Sequence, residues 1–242
     1  MVNKKWLQLV KSLHQKKYRY EHRLFFVEGI KMVRELLATD LKPFMIFAYA
    51  DFCDDFHSDY SVETISIKDL RSISALKNPN GILAVFTMPE ASKMKFDDWI
   101  VVIDNVRDPG NLGTIIRLCD WYGIKHVVCS KHTVDLYNPK VLQATMGSIA
   151  RVHVSYKELT DFLSNQKLPI YGAVMNGSSI YTEKLPDKGI LVMGNESNGI
   201  SSNLNKWIKN RVTIPQYGNI TAESLNVSMA TGILLNEIRR GH

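Results

Sequence analysis

Short apolar runs alternate with helical patterns in the first part of this 242-residue chain. A basic amphipathic segment is followed by the strand-like run LFFVEG at residues 24–29 and a helical pattern at 31–38. Strand patterns at 44–50 and 81–88 enclose further strand and helix signals. Alternation of this kind predicts a small α/β unit.

The polar stretch MPEASKMKFDD at residues 88–98 lies between two strand patterns and contains a proline. Segments of this composition are typical of linkers between domains. We therefore predict a first domain over residues 1–90, a linker over 91–97 and a second domain over 98–242.

Beyond the linker, strand-like runs again alternate with helical patterns. The runs occupy residues 99–103, 126–129, 151–154, 170–175, 189–193 and 211–213. This order predicts an α/β domain with a mostly parallel, doubly wound sheet whose two faces are covered by helices. A long helical pattern over residues 223–240 follows the last strand.

Positive charge is concentrated near the start of the chain. Residues 1–34 contain nine Lys and Arg residues but only two Glu residues, and the whole chain has a net charge of +6. Trp6, Tyr18 and Tyr20 are interleaved with the basic positions. Lys and Arg contact phosphates and aromatic rings stack on exposed bases, so the pattern is compatible with nucleic-acid binding. A solvated basic helix is an equal alternative, and a membrane surface is a weaker one.

Simple patterns argue against a membrane protein. The longest uninterrupted apolar run, residues 44–50, has seven residues, whereas a membrane-spanning helix needs about 20. The basic N-terminal segment contains no signal-peptide core. We expect a cytoplasmic protein with no membrane partner.

The cysteines indicate neither disulfides nor a metal site. Cys53, Cys119 and Cys129 are odd in number and form no Cys-x-x-Cys pair, which fits reduced thiols in the core. His126 and His132 flank Cys129, but on a strand His126 and Cys129 would point to opposite faces. We expect no bound metal.

The segment NVRDPGNLGTIIR, residues 105–117, connects an apolar run to a helical pattern. A strand-loop-helix junction presents free backbone N–H groups and the positive end of the helix dipole, so it suits an anionic or polar ligand. Arg117 shares a helix face with Gly113 and Thr114 and can reach the same place. A capped helix with a salt-bridging arginine is the alternative.

Two more polar loops follow predicted strands, LVMGNESNGI at residues 191–200 and IPQYGNITAESLNVSMA at 214–230. The chain contains neither a Gly-x-Gly-x-x-Gly turn nor a Walker loop, which argues against an ordinary nucleotide site. Three loops at the carboxyl ends of strands are expected to meet at one crevice.

These three blocks, in their order and spacing, resemble the SpoU (TrmH-like) family of knotted RNA 2′-O-ribose methyltransferases over residues 99–242. The earlier segment KKYRYEHRLFFVEGIKMVRELL looks like the small ribosomal-protein-like substrate-binding domain of many members, mainly through Arg23, Phe26, Glu28 and Gly29. The resemblance implies a deep trefoil knot in the second domain, S-adenosylmethionine as methyl donor, and a homodimer whose interface completes the active site.

The resemblance also implies roles for individual residues. The catalytic set would be Asn111, Arg117, Glu196, Ser224 and Asn226. The cofactor-binding set would be Gly194, Asn195, Ile214 and Leu225. Together with the basic segment of the first domain, the resemblance implies RNA contacts by Lys16, Lys17, Arg19 and Arg23. In the second block, Ser197 and Asn198 replace a more usual small or apolar pair, which affects only the expected cofactor contacts.

Chemistry refines the role of two of these residues. A guanidinium has a pKa above about 12 and is a poor base, so we expect Arg117 to clamp the phosphate beside the target ribose. A phosphate oxygen or water would then take the hydroxyl proton. Glu196 is expected to orient Arg117 or a loop amide.

The predicted function is transfer of a methyl group from S-adenosylmethionine to a ribose 2′-hydroxyl in structured RNA, with rRNA favoured over tRNA. One alternative is a non-catalytic RNA-binding protein that retains the knotted fold. The other is an RNA methyltransferase that modifies a base.

Overall fold

The computed structural model describes residues 2–53, 60–90, 93–217 and 224–240. Contacts within the chain divide it into two units. The first comprises residues 1–90 and 135–150, and the second comprises residues 91–134 and 151–242. The boundary near residue 90 thus coincides with the predicted linker, while residues 135–150 group with the first unit.

The described residues form ten strands and nine α-helices. The strands are β1 (Leu24–Glu28), β2 (Pro43–Ala48), β3 (Val62–Thr64), β4 (Ile82–Thr87), β5 (Ile100–Ile103), β6 (His126–Ser130), β7 (His153–Lys157), β8 (Ile170–Ser179), β9 (Ile190–Met193) and β10 (Asn210–Thr213). The helices are α1 (Lys4–Ser12), α2 (Lys16–His22), α3 (Ile30–Leu37), α4 (Ala50–Cys53), α5 (Ile67–Ile73), α6 (Pro109–Trp121), α7 (Pro139–Thr145), α8 (Leu159–Ser164) and α9 (Val227–Arg239).

The first unit is built on a four-stranded sheet in the order β1-β4-β2-β3. β4 is antiparallel to both of its neighbours, and β2 is parallel to β3. Because alternate strand residues point to opposite faces, β1 contributes to two apolar clusters. Phe25 and Val27 join the cluster that also contains Leu142 of α7, and Leu24 and Phe26 join the other. The predicted α/β unit is confirmed.

The second unit contains a six-stranded sheet in the order β10-β8-β9-β5-β6-β7, and every pair of neighbours is parallel. β5 and β9 are wholly apolar and fully buried, as expected for strands covered on both faces. The predicted parallel sheet is confirmed. Among the described residues, no helix is both long and apolar enough to cross a membrane.

Arg19 has a structural environment that its sequence pattern did not reveal. Its side chain is 3% exposed, and Nη1 donates to the carbonyl oxygens of Leu13 and His14 at 2.9 Å. Nη2 donates to Oδ2 of Asp135 at 2.5 Å, and the Tyr20 hydroxyl donates to Oδ1 at 2.7 Å. This corrects the assignment of Arg19 to an exposed RNA-binding surface, because a buried, ion-paired guanidinium does not face solvent. Lys16, Lys17 and Arg23 are exposed.

Replacing Asp135 tests this buried pair. Asp135→Ala leaves the Arg19 guanidinium buried without its counter-charge, so we expect the free energy of unfolding to fall by about 3–5 kcal/mol. Urea unfolding monitored by circular dichroism measures the change. Asp187→Ala, at an exposed position, is the control and should change the value by about 0.5 kcal/mol or less. Equal values for the two variants would contradict the structural role of the pair.

Candidate functional site

Three strands of the second unit end at the same edge of its sheet. β5 lies between β9 and β6, and Ile103 is paired with Met193 on one side and Cys129 on the other. All three strands are parallel, so their carboxyl ends lie side by side and the loops that follow them are neighbours. The sheet therefore brings the first two polar blocks of the sequence together.

Hydrogen bonds tie the loop after β5 to its neighbours. The N–H of Asn105 donates to Oγ of Ser130 at 2.9 Å, and Nδ2 of Asn195 donates to the Asn105 carbonyl at 2.8 Å. Oδ2 of Asp104 accepts from the N–H of Ser201 at 2.8 Å. Asn105 has a φ of 63°, in the left-handed region that Asn tolerates better than most residues. These bonds hold it there.

The loop after β9 is a tight turn closed by its own backbone. Asn195 and Gly199 exchange two backbone hydrogen bonds of 2.9 Å, and Oδ1 of Asn195 accepts from the N–H groups of Ser197 and Asn198. A Cβ at Gly194 would lie 2.3 Å from the carbonyl carbon of Gly199. No side chain fits at Gly194, so the glycine is required by close approach of the two backbone segments.

The N-terminus of α6 places Asn111 at this edge. Asp108 is the N-cap, its Oδ1 accepts from the N–H of Asn111 at 2.7 Å, and Pro109 occupies the first helical turn. An acidic N-cap followed by proline is a strong helix start, because it satisfies a free N–H and fixes φ in advance. The sequence Asp-Pro-Gly-Asn thus fixes the start of the helix and directs Asn111 towards the second block.

Asn111 joins all three blocks through one side-chain amide. Its Nδ2 donates to Oε1 of Glu196 at 2.6 Å, and its Oδ1 accepts from Nδ2 of Asn226 at 2.9 Å. Oγ of Ser228 lies 3.5 Å from the same oxygen. A carboxylate oxygen accepts and does not donate, so the Glu196 contact sets the orientation of the Asn111 amide.

Asn226 is also the N-cap of α9. Its Oδ1 accepts from the N–H groups of Ser228 and Met229 at 3.0 and 3.3 Å, and from Oγ of Ser228 at 2.6 Å. Asn226 itself has a ψ of 137°, outside the helical region. The helix therefore begins at Val227, later than the predicted pattern from residue 223, because Asn226 caps it from a non-helical conformation.

Arg117 lies in the middle of α6 and its side chain is exposed. Within the described part of the chain it makes no hydrogen bond or ion pair. Glu196 instead accepts from the side-chain amides of Asn111 and Asn195, at 2.6 and 3.4 Å. Of the two expectations for Glu196, the structure supports orientation of a loop amide.

The remaining predicted site residues flank this cluster in sequence. Ser224 and Leu225 are exposed in the segment just before α9, and Ile214 is half-buried directly after β10. The described residues show no hydrogen bond that joins these three to Asn111 or Glu196. Residues 218–223 of the third block lie outside the described residues.

Two members of the network were not predicted from the sequence. Ser228 lies inside the third block, where its spacing of two residues from an N-cap asparagine was a usable signal. Asn105 contributes through its carbonyl and its left-handed backbone, neither of which a sequence pattern displays.

The three cysteines are buried and free, as predicted. Burial raises the pKa of the Cys119 and Cys129 thiols well above their ordinary values, which makes them poor nucleophiles. Burial and the nearby His153 lower the pKa of His126, whose Nε2 accepts from the N–H of Lys95. Within the described residues, no group of His, Cys, Asp or Glu has the arrangement of a metal site.

Comparison with known proteins identifies similarities to both units. The profile of the family described as SpoU rRNA Methylase matches residues 98–236, and that of the MRM3-like substrate binding domain matches residues 4–84. A curated relative is the 23S rRNA (guanosine(2553)-2′-O)-methyltransferase RlmP of Bacillus subtilis, which is 31% identical across 95% of this chain and 94% of its own length.

Solved structures show the same similarity. A TrmH-family protein from Porphyromonas gingivalis superposes with a TM-score of 0.92 at 36% identity, and each chain is covered completely. The AdoMet-bound rRNA methyltransferase from Sinorhizobium meliloti has a TM-score of 0.86 at 29% identity, over 97% of this chain and 94% of that one. Both comparisons span the two units together.

A pair of glycine substitutions tests the tight turn. Gly194→Ala places a methyl group against the Gly199 backbone, so we expect it to reduce the free energy of unfolding by about 1–3 kcal/mol. Gly232→Ala is the matched control, because its Cβ would lie 3.5 Å from Leu118, an ordinary contact, and alanine favours the helix interior. Chemical denaturation of both variants measures the difference. If Gly194→Ala were as stable as Gly232→Ala, close approach at this turn would be wrong.

Proposed function

We propose, because this chain belongs to the SpoU rRNA methylase family, that the cluster around Asn111 is the centre at which it methylates RNA. The chain is an RNA 2′-O-methyltransferase that takes the methyl group from S-adenosylmethionine. The observation that carries the proposal is the convergence of all three sequence blocks on one amide. We further propose ribosomal RNA as the substrate, since RlmP and the Sinorhizobium meliloti enzyme are described as acting on it.

The residues around the turn have the chemistry that S-adenosylmethionine requires. Gly194, Ile214 and Leu225 lie next to irregular backbone, whose N–H and carbonyl groups suit the polar edges of the cofactor. Apolar side chains at Ile214 and Leu225 suit its adenine. Asn195 closes the turn. When bound, the cofactor supplies a methyl group on a positively charged sulfur. We propose that these four residues hold it.

The reaction requires the ribose oxygen to be aligned with the methyl group and to lose its proton. Asn111 and Asn226 are held by each other and by Glu196, so their remaining N–H groups point in fixed directions. We propose that these two amides position the ribose, with Ser224 beside them in the exposed segment before α9. A preorganised set of neutral hydrogen-bonding groups lowers the cost of alignment.

Arg117 has a different role in this proposal. Its guanidinium is exposed and has no carboxylate partner among the described residues, so it can bind a phosphate with two parallel N–H groups. A positive charge at that position lowers the pKa of the adjacent 2′-hydroxyl. The proton then passes to a phosphate oxygen or to water, because the guanidinium remains charged.

We also propose that two copies of the chain associate through the second unit. Helices α6 and α9 carry large apolar side chains that face solvent, with Trp121 83% exposed and Met229 63% exposed. Burial of such side chains against a second copy would be favourable.

We propose as well that the second unit contains the trefoil knot. The proposed domains remain an RNA-binding domain over residues 1–90, a linker over 91–97 and a methyltransferase domain over 98–242. Cytoplasmic location is proposed from the three free, buried thiols.

Substitution of Arg117 tests the phosphate clamp. Arg117→Lys keeps the charge but loses bidentate geometry, so we expect methyl transfer to fall by about tenfold or more and RNA affinity to weaken. Single-turnover transfer from labelled S-adenosylmethionine and filter binding of RNA measure the two quantities. Arg151→Lys, at an exposed arginine of the same unit, is the control. Turnover and RNA affinity close to those of the unmodified protein would show that the clamp is wrong.

Cofactor binding and ribose mapping test the function as a whole. Calorimetric titration with S-adenosylmethionine should show binding, and Gly194→Ala should weaken it. Ribose-methylation maps of total RNA from cells with and without the gene should differ at one or a few ribosomal positions. Absence of binding at millimolar cofactor would favour a non-catalytic protein. Unchanged ribose methylation together with an altered base would indicate a base-modifying enzyme.

A further inference from the structure

The first unit contains a cavity of about 230 Å³ next to strand β1. Its walls are mostly apolar, and Lys140 and Gln143 are its more exposed polar residues. We call this cavity the β1-edge pocket. The residues that line it are Phe26, Val27, Glu28, Met32, Ala75, Leu76, Pro139, Lys140, Leu142, Gln143 and Ala144.

β1 presents backbone groups that lack partners at this pocket. The strand is at the edge of its sheet and pairs only with β4. Arg23 and Gly29 are hydrogen-bonded to the β4 side, through Met88 and Ile82. In an antiparallel pair, hydrogen-bonded residues alternate along the strand. The N–H and carbonyl groups of residues 26 and 28 therefore face away from β4.

Those backbone groups are buried without an internal partner. Phe26 is 2% exposed and Glu28 is 5% exposed. No described residue donates to or accepts from the outward backbone groups of either residue. Buried backbone N–H and carbonyl groups are nearly always hydrogen-bonded, so a polar ligand or water must satisfy them.

The Glu28 carboxylate adds acceptor capacity to the same wall. Oε1 accepts from the N–H of Ala75 at 2.8 Å, and Oε2 accepts from Oγ of Ser74. The backbone N–H of Leu76 also interacts with this carboxylate. A carboxylate has about four acceptor positions, so it can accept a further hydrogen bond. Burial raises the pKa of Glu28 although these hydrogen bonds oppose the shift, as expected for a carboxyl group beside an apolar cavity.

We propose that the β1-edge pocket binds one unstacked nucleobase of the RNA substrate. A base combines an edge of alternating donors and acceptors with two apolar faces, which matches a strand edge and carboxylate set between apolar walls. Lys140 lines the pocket and Lys77 follows Leu76, both exposed, and both suit the phosphates that flank the base. A peptide strand does not fit, because a cavity of about 230 Å³ holds only a small group.

The proposal rests on the function proposed above, in that it assumes an RNA substrate. It adds that the first unit recognises an unpaired nucleotide in a defined pocket, in addition to contacting phosphates through its basic surface. The match of residues 4–84 to a substrate-binding domain agrees with a substrate contact in this unit.

Ultraviolet crosslinking tests the pocket directly. The full-length protein is irradiated with protein-free ribosomal RNA, digested with nuclease and trypsin, and searched by mass spectrometry for nucleotide adducts. We expect adducts on the tryptic peptides 24–31, 72–77, 132–140 and 141–151, which contain pocket residues. Adducts confined to other peptides, or no adducts at all, would overturn the proposal.

Two alanine-to-phenylalanine substitutions provide a matched comparison. Ala144→Phe fills the pocket from α7, whereas Ala38→Phe adds the same group at an exposed position after α3. The pocket adducts should fall by about tenfold or more in Ala144→Phe and remain unchanged in Ala38→Phe. Equal yields in both variants would overturn the proposal.

A second substitution does not depend on filling the cavity. Glu28→Gln can keep the contacts to Ser74 and Ala75, because a hydroxyl can also accept from an amide. It should change which of the four bases is found in the adducts. An unchanged base distribution would exclude recognition by the carboxylate. S-adenosylmethionine titration of the same samples separates this outcome from failure of the proposed function, since cofactor binding should persist in every variant.

Discussion

The site depends on the directionality of one amide. Asn111 has a donor end and an acceptor end, and Glu196 offers only an acceptor to it. The oxygen of Asn111 must therefore face α9, where Asn226 must donate with its nitrogen and accept with its oxygen. That oxygen in turn receives the free N–H groups at the start of the helix. Three loops that are distant in sequence are thereby oriented by a single carboxylate, before any substrate binds.

The alternation of apolar runs was sufficient to predict the parallel sheet, since strands covered on both faces consist of continuous apolar residues. The resemblance of three motifs to those of a known family indicated which loops form the candidate site. Neither kind of reasoning could predict the bond between Asn111 and Glu196, because it depends on β9 lying beside β5 although 85 residues separate the two side chains. The start of α9 was also misplaced, since the helical pattern in the sequence begins before Asn226, whose side chain caps the helix at Val227.

The arginines illustrate how much of a role is determined by surroundings. Arg19 lies in the most basic stretch of the chain, yet it is buried and forms an ion pair with Asp135, which is 116 residues away. Arg117 is surrounded by apolar positions in its helix, yet its side chain is exposed and has no acidic partner in the described structure. Charge density along the sequence therefore suggested the wrong arginine as an RNA ligand in the first unit. A guanidinium is available to bind RNA only where no acidic side chain lies close enough to form an ion pair with it.

The segment from Asp135 to Ala150 belongs to the first unit although it interrupts the second in sequence. It supplies Leu142 to the core and Asp135 to the buried ion pair. A fragment that ended at residue 90 would expose the apolar surface that Leu142 covers and leave Arg19 without its carboxylate. A fragment that began at residue 91 would contain Leu142 and Asp135 without the residues of the first unit that they contact. A cut at residue 90 therefore removes part of the first unit's own core and its buried counter-charge, although it falls between the two units in sequence.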